Sequence, residues 1–274
     1  MNQIKNKLKG KVAVITGSGR GIGKAIAIEL AKQGVSVVLN GRNEERLKET
    51  ESIIQKINPE VFSYCCDVSD IDASKELIQA VIDHFRKLDI LILNAGVSMR
   101  GNTAELNPLV FNKVFETNVF GAVNPAIPAI PWLRKTKGSI IFISSLAGIR
   151  GLPGLSAYSS SKMALRAIAE SIRIEEKQHD IHVGLIQVGI TEIEHNKETI
   201  AADGSLKVLN PRDKSKVQTT EQVALAVLKN IRKRKFITTL TGIGKINKFM
   251  QARFPMLVEK IILGNLKKFA EKSE

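Results

Sequence analysis

Short apolar runs alternate with longer stretches in which apolar residues recur every three or four positions, and this alternation persists along most of the chain. Val12 to Ile15, Val35 to Leu39, Val61 to Cys65, Leu88 to Leu93, Ser139 to Ile143, Ile181 to Ile186 and Phe236 to Leu240 read as strands. Ile22 to Gln33, Glu44 to Ile57, Asp70 to Arg86, Ala157 to Gln178 and Thr219 to Arg232 carry the helical period instead. Gly34 is a helix stop, Asp70 an N-cap, and Thr219 or Thr220 another. A further long helix is expected from near Pro108 towards Trp132. Strands that are apolar throughout and separated by helices belong to a parallel sheet covered on both faces. The expected fold is therefore α/β, a doubly wound parallel sheet in three α/β/α layers over residues 1–240, followed by a helical tail over 241–274.

Polar exceptions to this pattern carry the candidate chemistry. Thr16-Gly-Ser-Gly-Arg-Gly-Ile-Gly23 lies between the first strand and the first helix. Glycines there allow backbone N–H groups to approach a pyrophosphate, whose charge the helix N-terminus favours. The competing reading is a tight turn that binds nothing. After the second strand the chain reads Asn40-Gly41-Arg42-Asn43, with no carboxylate to grip a ribose 2′-OH. Arg42 can receive a 2′-phosphate, and Arg20 can add a second cation, so NADP is the expected cofactor. The alternative for Arg42 is a solvated loop arginine.

Tyr158 and Lys162 stand four residues apart at the start of a helix, hence on one face. An ammonium beside a phenol favours the phenolate and lowers the pKa of the tyrosine. Thirteen residues before Tyr158, an apolar strand ends in Ser144-Ser145, at the end where open α/β sheets bind ligands. A serine hydroxyl there can donate to the carbonyl oxygen that Tyr158 protonates.

Six motifs now stand in order: Thr16-Gly17-xxx-Gly21-Ile22-Gly23, Asp67, Asn94-Ala95-Gly96, Asn118, Ser145 and Tyr158-xxx-Lys162. The chain resembles the short-chain dehydrogenase/reductase family over roughly residues 8–240, and its glycine spacing differs from the extended, sugar-nucleotide branch. The resemblance implies that Tyr158 is the general acid in reduction and the base in oxidation. It implies that Lys162 tunes Tyr158 and holds the nicotinamide ribose, that Ser145 orients the substrate carbonyl, and that Asn118 supports a proton relay through Lys162. Ser144 competes for the serine role, and the interval to Tyr158 favours Ser145. The implied cofactor contacts are Gly17, Ser18, Arg20, Gly21, Ile22, Gly23, Arg42, Asp67, Val68, Asn94, Ala95, Gly96, Tyr158, Lys162 and Thr191. Asp67 would meet the adenine, Asn94 the adenosine side and Thr191 the carboxamide.

Two departures change the expectations. Val188-Gly189 stands where the family usually has Pro-Gly, which leaves the backbone near Val188 less fixed. Pro125, Pro128 and Pro131 fall in the helix carrying Asn118. Each interior proline costs about 3 kcal/mol, so a bend or break near Asn124 is predicted. That helix usually builds a dimer interface in the family, so a homo-oligomer is left open. The polar stretch Val188 to Thr220, with Ala202-Asp-Gly204 and Asn210 to Asp213, is expected to be a mobile lid over the substrate.

Composition narrows the remaining choices. The 274 residues are 43% hydrophobic and 25% charged, a balance typical of a folded globular protein, whereas the formal charge of +14 is unusual and asks for nucleic acid, a membrane surface or an acidic ligand. The first eleven residues lack the apolar run of a secretory signal, and no apolar run is long enough to span a bilayer. The two cysteines, Cys65 and Cys66, suit a reducing compartment and are expected to pack at a strand end, so a cytoplasmic location is expected. His84, His179, His182 and His195 lack metal-ligand spacing, and no metal is expected. His195 falls in the lid region and reads as a solvated residue. Residues 229–274 hold twelve Lys/Arg against three Asp/Glu, so most of the surplus charge belongs to the last 46 residues.

In that tail Ile243, Ile246, Phe249, Met250, Phe254, Leu257, Val258, Ile261, Ile262, Leu266 and Phe269 recur at helical steps, with Lys245, Lys248, Arg253, Lys260, Lys267 and Lys268 largely elsewhere. Two basic amphipathic helices meeting at Pro255 are expected. Their apolar stripe is expected to pack on the body or on a second subunit; the sharper alternative is contact with an anionic membrane surface through Phe254 and Phe269. Nucleic acid is excluded as a partner, because the chain has two tyrosines, one tryptophan and no recognised binding module. The leading expectation is an NADP-dependent oxidoreductase that interconverts a carbonyl and an alcohol on a lipophilic small molecule. The alternatives are reduction of a 3-oxoacyl group on an acidic carrier protein, and a non-enzymatic dinucleotide sensor.

Overall fold

A computed structural model describes residues 8–192, 197–210 and 217–266. His195, Pro211 to Asp213, Lys267, Lys268 and Phe269 lie outside the described residues. The first strand, β1 (Val12–Ile15), shows why the sheet must lie inside. Ala13 and Ile15 join one hydrophobic cluster, whereas Val12 and Val14 join another on the opposite face. A strand buried on both faces needs helices on both sides. The chain supplies α1 (Gly21–Ala31), β2 (Ser36–Gly41), α2 (Glu44–Gln55), β3 (Val61–Cys65), α3 (Ile71–Phe85) and β4 (Ile90–Leu93). It continues with α4 (Pro108–Phe115), α5 (Gly121–Thr136), β5 (Ser139–Ser145), α6 (Ser156–Glu175) and β6 (His182–Val188).

These strands, with β9 (Ile237–Thr239) last, form one sheet in the order β3-β2-β1-β4-β5-β6-β9, with every pairing parallel. In the chain β9 follows α7 (Thr220–Lys233). The order runs outward from β1 in one direction and from β4 in the other. The carboxyl ends of β1 and β4 therefore open the crevice in which such sheets take ligands. Asp70 caps α3 through its bond from Ala73 N–H, and Thr219 caps α7 in a reciprocal pair with Gln222, both as the sequence predicts.

The helix carrying Asn118 departs from expectation. It does not break near Asn124; Gly121–Thr136 is one helix containing Pro125, Pro128 and Pro131. The irregularity lies upstream, where Glu116–Phe120 forms a π-helical turn between α4 and α5. Burial explains the survival of α5. Ala122, Ala126, Ala129 and Leu133 sit in the core, and Pro125 is buried beside them. At the far end Arg134 makes two 2.7 Å bonds to Glu176 beyond α6. Packing against the sheet thus outweighs the missing backbone donors.

Three further expectations are corrected or refined. Cys65 is exposed at the end of β3 rather than packed, and only Cys66 is partly buried, where desolvation raises its thiol to about 11. The lid stretch contains a short antiparallel hairpin, β7 (Glu198–Ile200) with β8 (Leu206–Val208), that a low-periodicity sequence gave no sign of. The backbone at Val188 is held, since Val188 pairs with Ser145 at the ends of β6 and β5. The tail forms α8 (Gly242–Arg253) and α9 (Pro255–Leu263), meeting at Pro255 as predicted. Its apolar stripe is mostly exposed rather than packed on the body: among its described large apolar side chains only Val258 is buried, with Met250 and Ile262 partly so.

Pro131 lies on the exposed side of α5 and adds no core contact to offset its lost hydrogen bond. Pro131→Ala should raise stability by about 1–3 kcal/mol, read as a higher midpoint in urea unfolding. A lower midpoint would show that the ring itself is stabilising.

Candidate active site

The glycine-rich loop is built by close approach rather than by flexibility. Gly17 has φ +64°, and a Cβ there would stand 3.0 Å from Ala95 Cα. A Cβ on Gly23 would stand 2.2 Å from the Gly17 carbonyl oxygen, which no side chain permits. Asn94 Nδ2 donates to the carbonyls of Thr16 and Gly17, and Thr16 Oγ1 accepts from the N–H groups of Asn94 and Ala95. The loops after β1 and β4 are thereby locked together across the crevice. Ile22 is half-buried against the core behind the loop. Ser18 is fully buried, and its hydroxyl accepts from Asn40 N–H at 2.9 Å, so that side chain braces the loop from behind. A Cβ on Gly21 would meet nothing within 4 Å, which leaves the outer side of the loop open. Such a cradle fits a pyrophosphate at the start of α1.

At the end of β2, Arg42 is half-exposed and lies 3.4 Å from Asp67. The Asp67 carboxyl is held below its ordinary range: desolvation opposes the ionised form, and bonds from Ser69 together with Arg42 outweigh it. Val68 is buried, and its carbonyl accepts from Ser74 and Asn124. Arg20 occupies the N-cap position of α1 without capping it. Arg20 follows β1 and Arg42 follows β2, so both lie at the carboxyl end of the sheet.

The second half of the site converges over Gly96. A Cβ on Gly96 would lie 3.0 Å from Asn118 Oδ1 and 3.3 Å from Lys162 Nζ, so glycine leaves the space in which the two meet. The π-helical turn carries Asn118 inward, fully buried. Its Oδ1 accepts from Val97 N–H at 2.7 Å, and its Nδ2 donates to Val97 O and Ser161 Oγ. Lys162 is 5% exposed and donates to Ile143 O at 3.1 Å. Burial, reinforced by the Lys197 ammonium, draws its pKa down to about 8. Lys162 Nζ stands 5.8 Å from the centre of the Tyr158 ring, which is half-buried beside an apolar cluster of Met99, Val110, Val114, Ala157 and Ile200.

The two serines diverge because successive strand residues face opposite sides. Ser144 is buried and donates to Lys162 O at 3.1 Å; Ser145 is half-buried, with Oγ accepting from Ala147 N–H at 3.2 Å. Thr191 is buried beyond β6, where its hydroxyl donates to Gly189 O. Thr16 and Ser161 lie inside motifs that the sequence singles out, Thr16-Gly17-xxx-Gly21 and Tyr158-xxx-Lys162, but neither is given a role there, because a lone hydroxyl gives no signal until its partners are placed. Among the described residues no cluster of His, Cys, Asp and Glu could hold a metal. His182 is instead a buried packing group at the start of β6, bonded to Lys235 O and drawn down to about 4 by burial.

Comparison with known proteins agrees with this geometry. A family model described as short chain dehydrogenase matches residues 11–204. The chain belongs to the short chain dehydrogenase family. It is 32% identical over 246 residues to 3-ketodihydrosphingosine reductase of Mus musculus, covering 86% of this chain and 73% of that one. An alcohol dehydrogenase of Thermococcus sibiricus, solved with 5-hydroxy-NADP, superposes with a TM-score of 0.73 at 27% identity over 84% of this chain and 94% of that one. A 3-ketoacyl-ACP reductase of Sinorhizobium meliloti superposes at 0.75 with 26% identity, covering 86% and 99%. This short chain dehydrogenase is accordingly an oxidoreductase acting on CH–OH groups and their carbonyl counterparts.

The depressed lysine has a measurable consequence. An unfolded lysine keeps its proton to about 10.5, so between pH 8 and 10.5 the unfolded chain binds more protons than the folded one. Lys162 therefore opposes folding most below pH 8, and that penalty fades as pH rises. Relative to wild type, Lys162→Met should lose on the order of 3 kcal/mol of its advantage between those limits in denaturation experiments. Parallel pH curves for the two proteins would show that Lys162 has an ordinary pKa.

Proposed function

We propose that this chain is an NADP-dependent reductase of a ketone on a lipophilic small molecule, running as an alcohol dehydrogenase in reverse. The observation that carries the reading is the convergence of Tyr158, Lys162 and Asn118 beside Ser145 at the carboxyl end of β5. NADPH, when bound, supplies hydride to the carbonyl carbon. As negative charge grows on the carbonyl oxygen, the Tyr158 hydroxyl gives up its proton to it and Ser145 Oγ–H donates a hydrogen bond. Lys162, charged at neutral pH, stabilises the tyrosinate that remains and holds the nicotinamide ribose. Asn118, fixed by Val97 and Ser161, supports return of a proton to Tyr158 by way of Lys162.

Gly17, Gly21, Ile22 and Gly23, with Ser18 behind them, shape the pyrophosphate cradle. Arg20 and Arg42 take the 2′-phosphate, and Asp67 and Val68 border the adenine. Asn94, Ala95 and Gly96 face the adenosine side, and Thr191 meets the carboxamide. The 5-hydroxy-NADP held by the Thermococcus relative supports the choice of NADP. Two relatives are reductases of a 3-keto group by their names, which supports a ketone substrate and the reducing direction. The apolar cluster against Tyr158 supports a lipophilic one. No helix among the described residues is long and apolar enough to cross a membrane. We assign residues 1–240 to catalysis in the cytoplasm and the tail helices to contact with a membrane surface.

Tyr158→Phe removes only the proton donor. NADPH should still bind, and ketone-dependent NADPH oxidation should fall by at least about a hundredfold. Persisting turnover would overturn the mechanism. Arg42→Ala should raise KM for NADPH by about 10–100-fold and leave KM for NADH nearly unchanged, in line with loss of one charge-assisted contact. Equal effects on both cofactors would remove Arg42 from the 2′-phosphate site.

A further inference from the structure

We propose that α8 and α9 form a docking surface for an anionic lipid bilayer, held at the mouth of the active site. Most large apolar side chains of these helices face solvent, with Val258 buried and Met250 and Ile262 half-buried. Ile243 is 80% exposed, Met256 67%, Ile246 64%, Phe249 59%, and Ile261 and Leu263 55% each. Scattered exposed apolar residues are ordinary, but this concentration within two adjacent short helices marks a surface that meets something. Ile243, Ile246 and Phe249 are three residues apart and share one side of α8.

Charge selects the occupant. Residues 242–266 contain Lys245, Lys248, Arg253 and Lys260 and a single acid, Glu259, which is already paired with Arg150. A second copy seated symmetrically on this face would bring two sets of cations together. An anionic bilayer attracts them while it takes up the apolar side chains. With 12 and 9 residues, the helices are suited to lying along the interface rather than crossing it.

The surface is fastened to the catalytic end of the sheet. At the start of α8, a Cβ on Gly244 would stand 2.8 Å from Leu146, the residue after Ser145. A Cβ on Gly189, two residues before Thr191, would stand 3.0 Å from Thr241. Arg150, in the loop that follows Ser145, donates to Gln251 Oε1 at 2.9 Å, to Pro255 O at 3.0 Å and to Glu259 Oε2 at 3.0 Å. One arginine thus ties both tail helices to the loop bordering the site. Granting the lipophilic ketone proposed above, the docked enzyme presents its cleft to substrate dissolved in the bilayer.

The test uses the full chain and two kinds of vesicle, phosphatidylcholine alone and phosphatidylcholine mixed with phosphatidylglycerol. Co-sedimentation should occur with the mixed vesicles, weaken with added salt, and be slight with the neutral ones. Each of Lys245→Gln and Lys260→Gln should lower the partition coefficient about fivefold, whereas Lys248→Gln should lower it less, since Lys248 is half-buried near Arg166. Ile246→Glu combined with Phe249→Glu should abolish sedimentation while turnover of a short, water-soluble ketone stays unchanged, which shows that the variant is folded. Its turnover of a ketone dissolved in mixed vesicles should fall at least about tenfold. Equal sedimentation with both vesicles, or sedimentation with neither, would overturn the proposal. So would an oligomer, seen by sedimentation velocity, that the double substitution dissolves without any vesicle binding. Vesicle binding by a chain that reduces no ketone would leave the docking surface standing and remove the proposed function.

Discussion

The burial of one ammonium group organises the catalytic end of this molecule. A charged lysine with 5% exposure is costly unless polar groups surround it, and the chain meets that cost with backbone. Ile143 O, on β5, accepts from Lys162 Nζ; Ser144, the next residue, donates to the carbonyl of Lys162 itself. Strand β5 and helix α6 are therefore clasped in both directions at the level where Ser145 and Tyr158 emerge. The same ammonium fixes the identity of Gly96, because any side chain there would press on Lys162 and Asn118 together.

A second constraint places Asn118. A regular α-helix through 108–136 would leave no reason for an asparagine to be fully buried, yet Asn118 is, with each side-chain atom bonded. The π-helical turn at Glu116–Phe120 accommodates it, and such single wide turns often mark functional positions. The three prolines disfavour a helix locally, but Pro125 lies against the core with Ala122, Ala126 and Ala129, and that packing holds the helix. Local propensity is a weak prior wherever a whole helical face is buried.

The tail reverses the lesson. Its helices and their meeting at Pro255 were legible from periodicity, but periodicity marks only a face and does not say what covers it. A stripe of apolar residues usually packs on its own body, and here most of the described stripe is exposed. Cys65 shows the same limit on a small scale, since a strand end can be covered or open and the residue type does not decide which.

By itself the sequence determined the order along the chain of the strands of the main sheet, their parallel arrangement, the glycine-rich loop after β1 and the spacing of Tyr158 and Lys162. Those features are local: they depend on period, on capping residues and on glycines where backbones touch. It also placed both serines at the end of β5, and pleating alone would send them to opposite sides. Tertiary structure decided which side faces the cleft, because only the neighbouring helix shows that Ser144 is spent on Lys162 O. It likewise decided the role of Ser18, turned inward to Asn40, and the junction of Arg150 with Gln251, Pro255 and Glu259. Contacts between residues a hundred positions apart leave no periodic trace in a single chain, and they exist only once the sheet has set the distance between the elements that carry them.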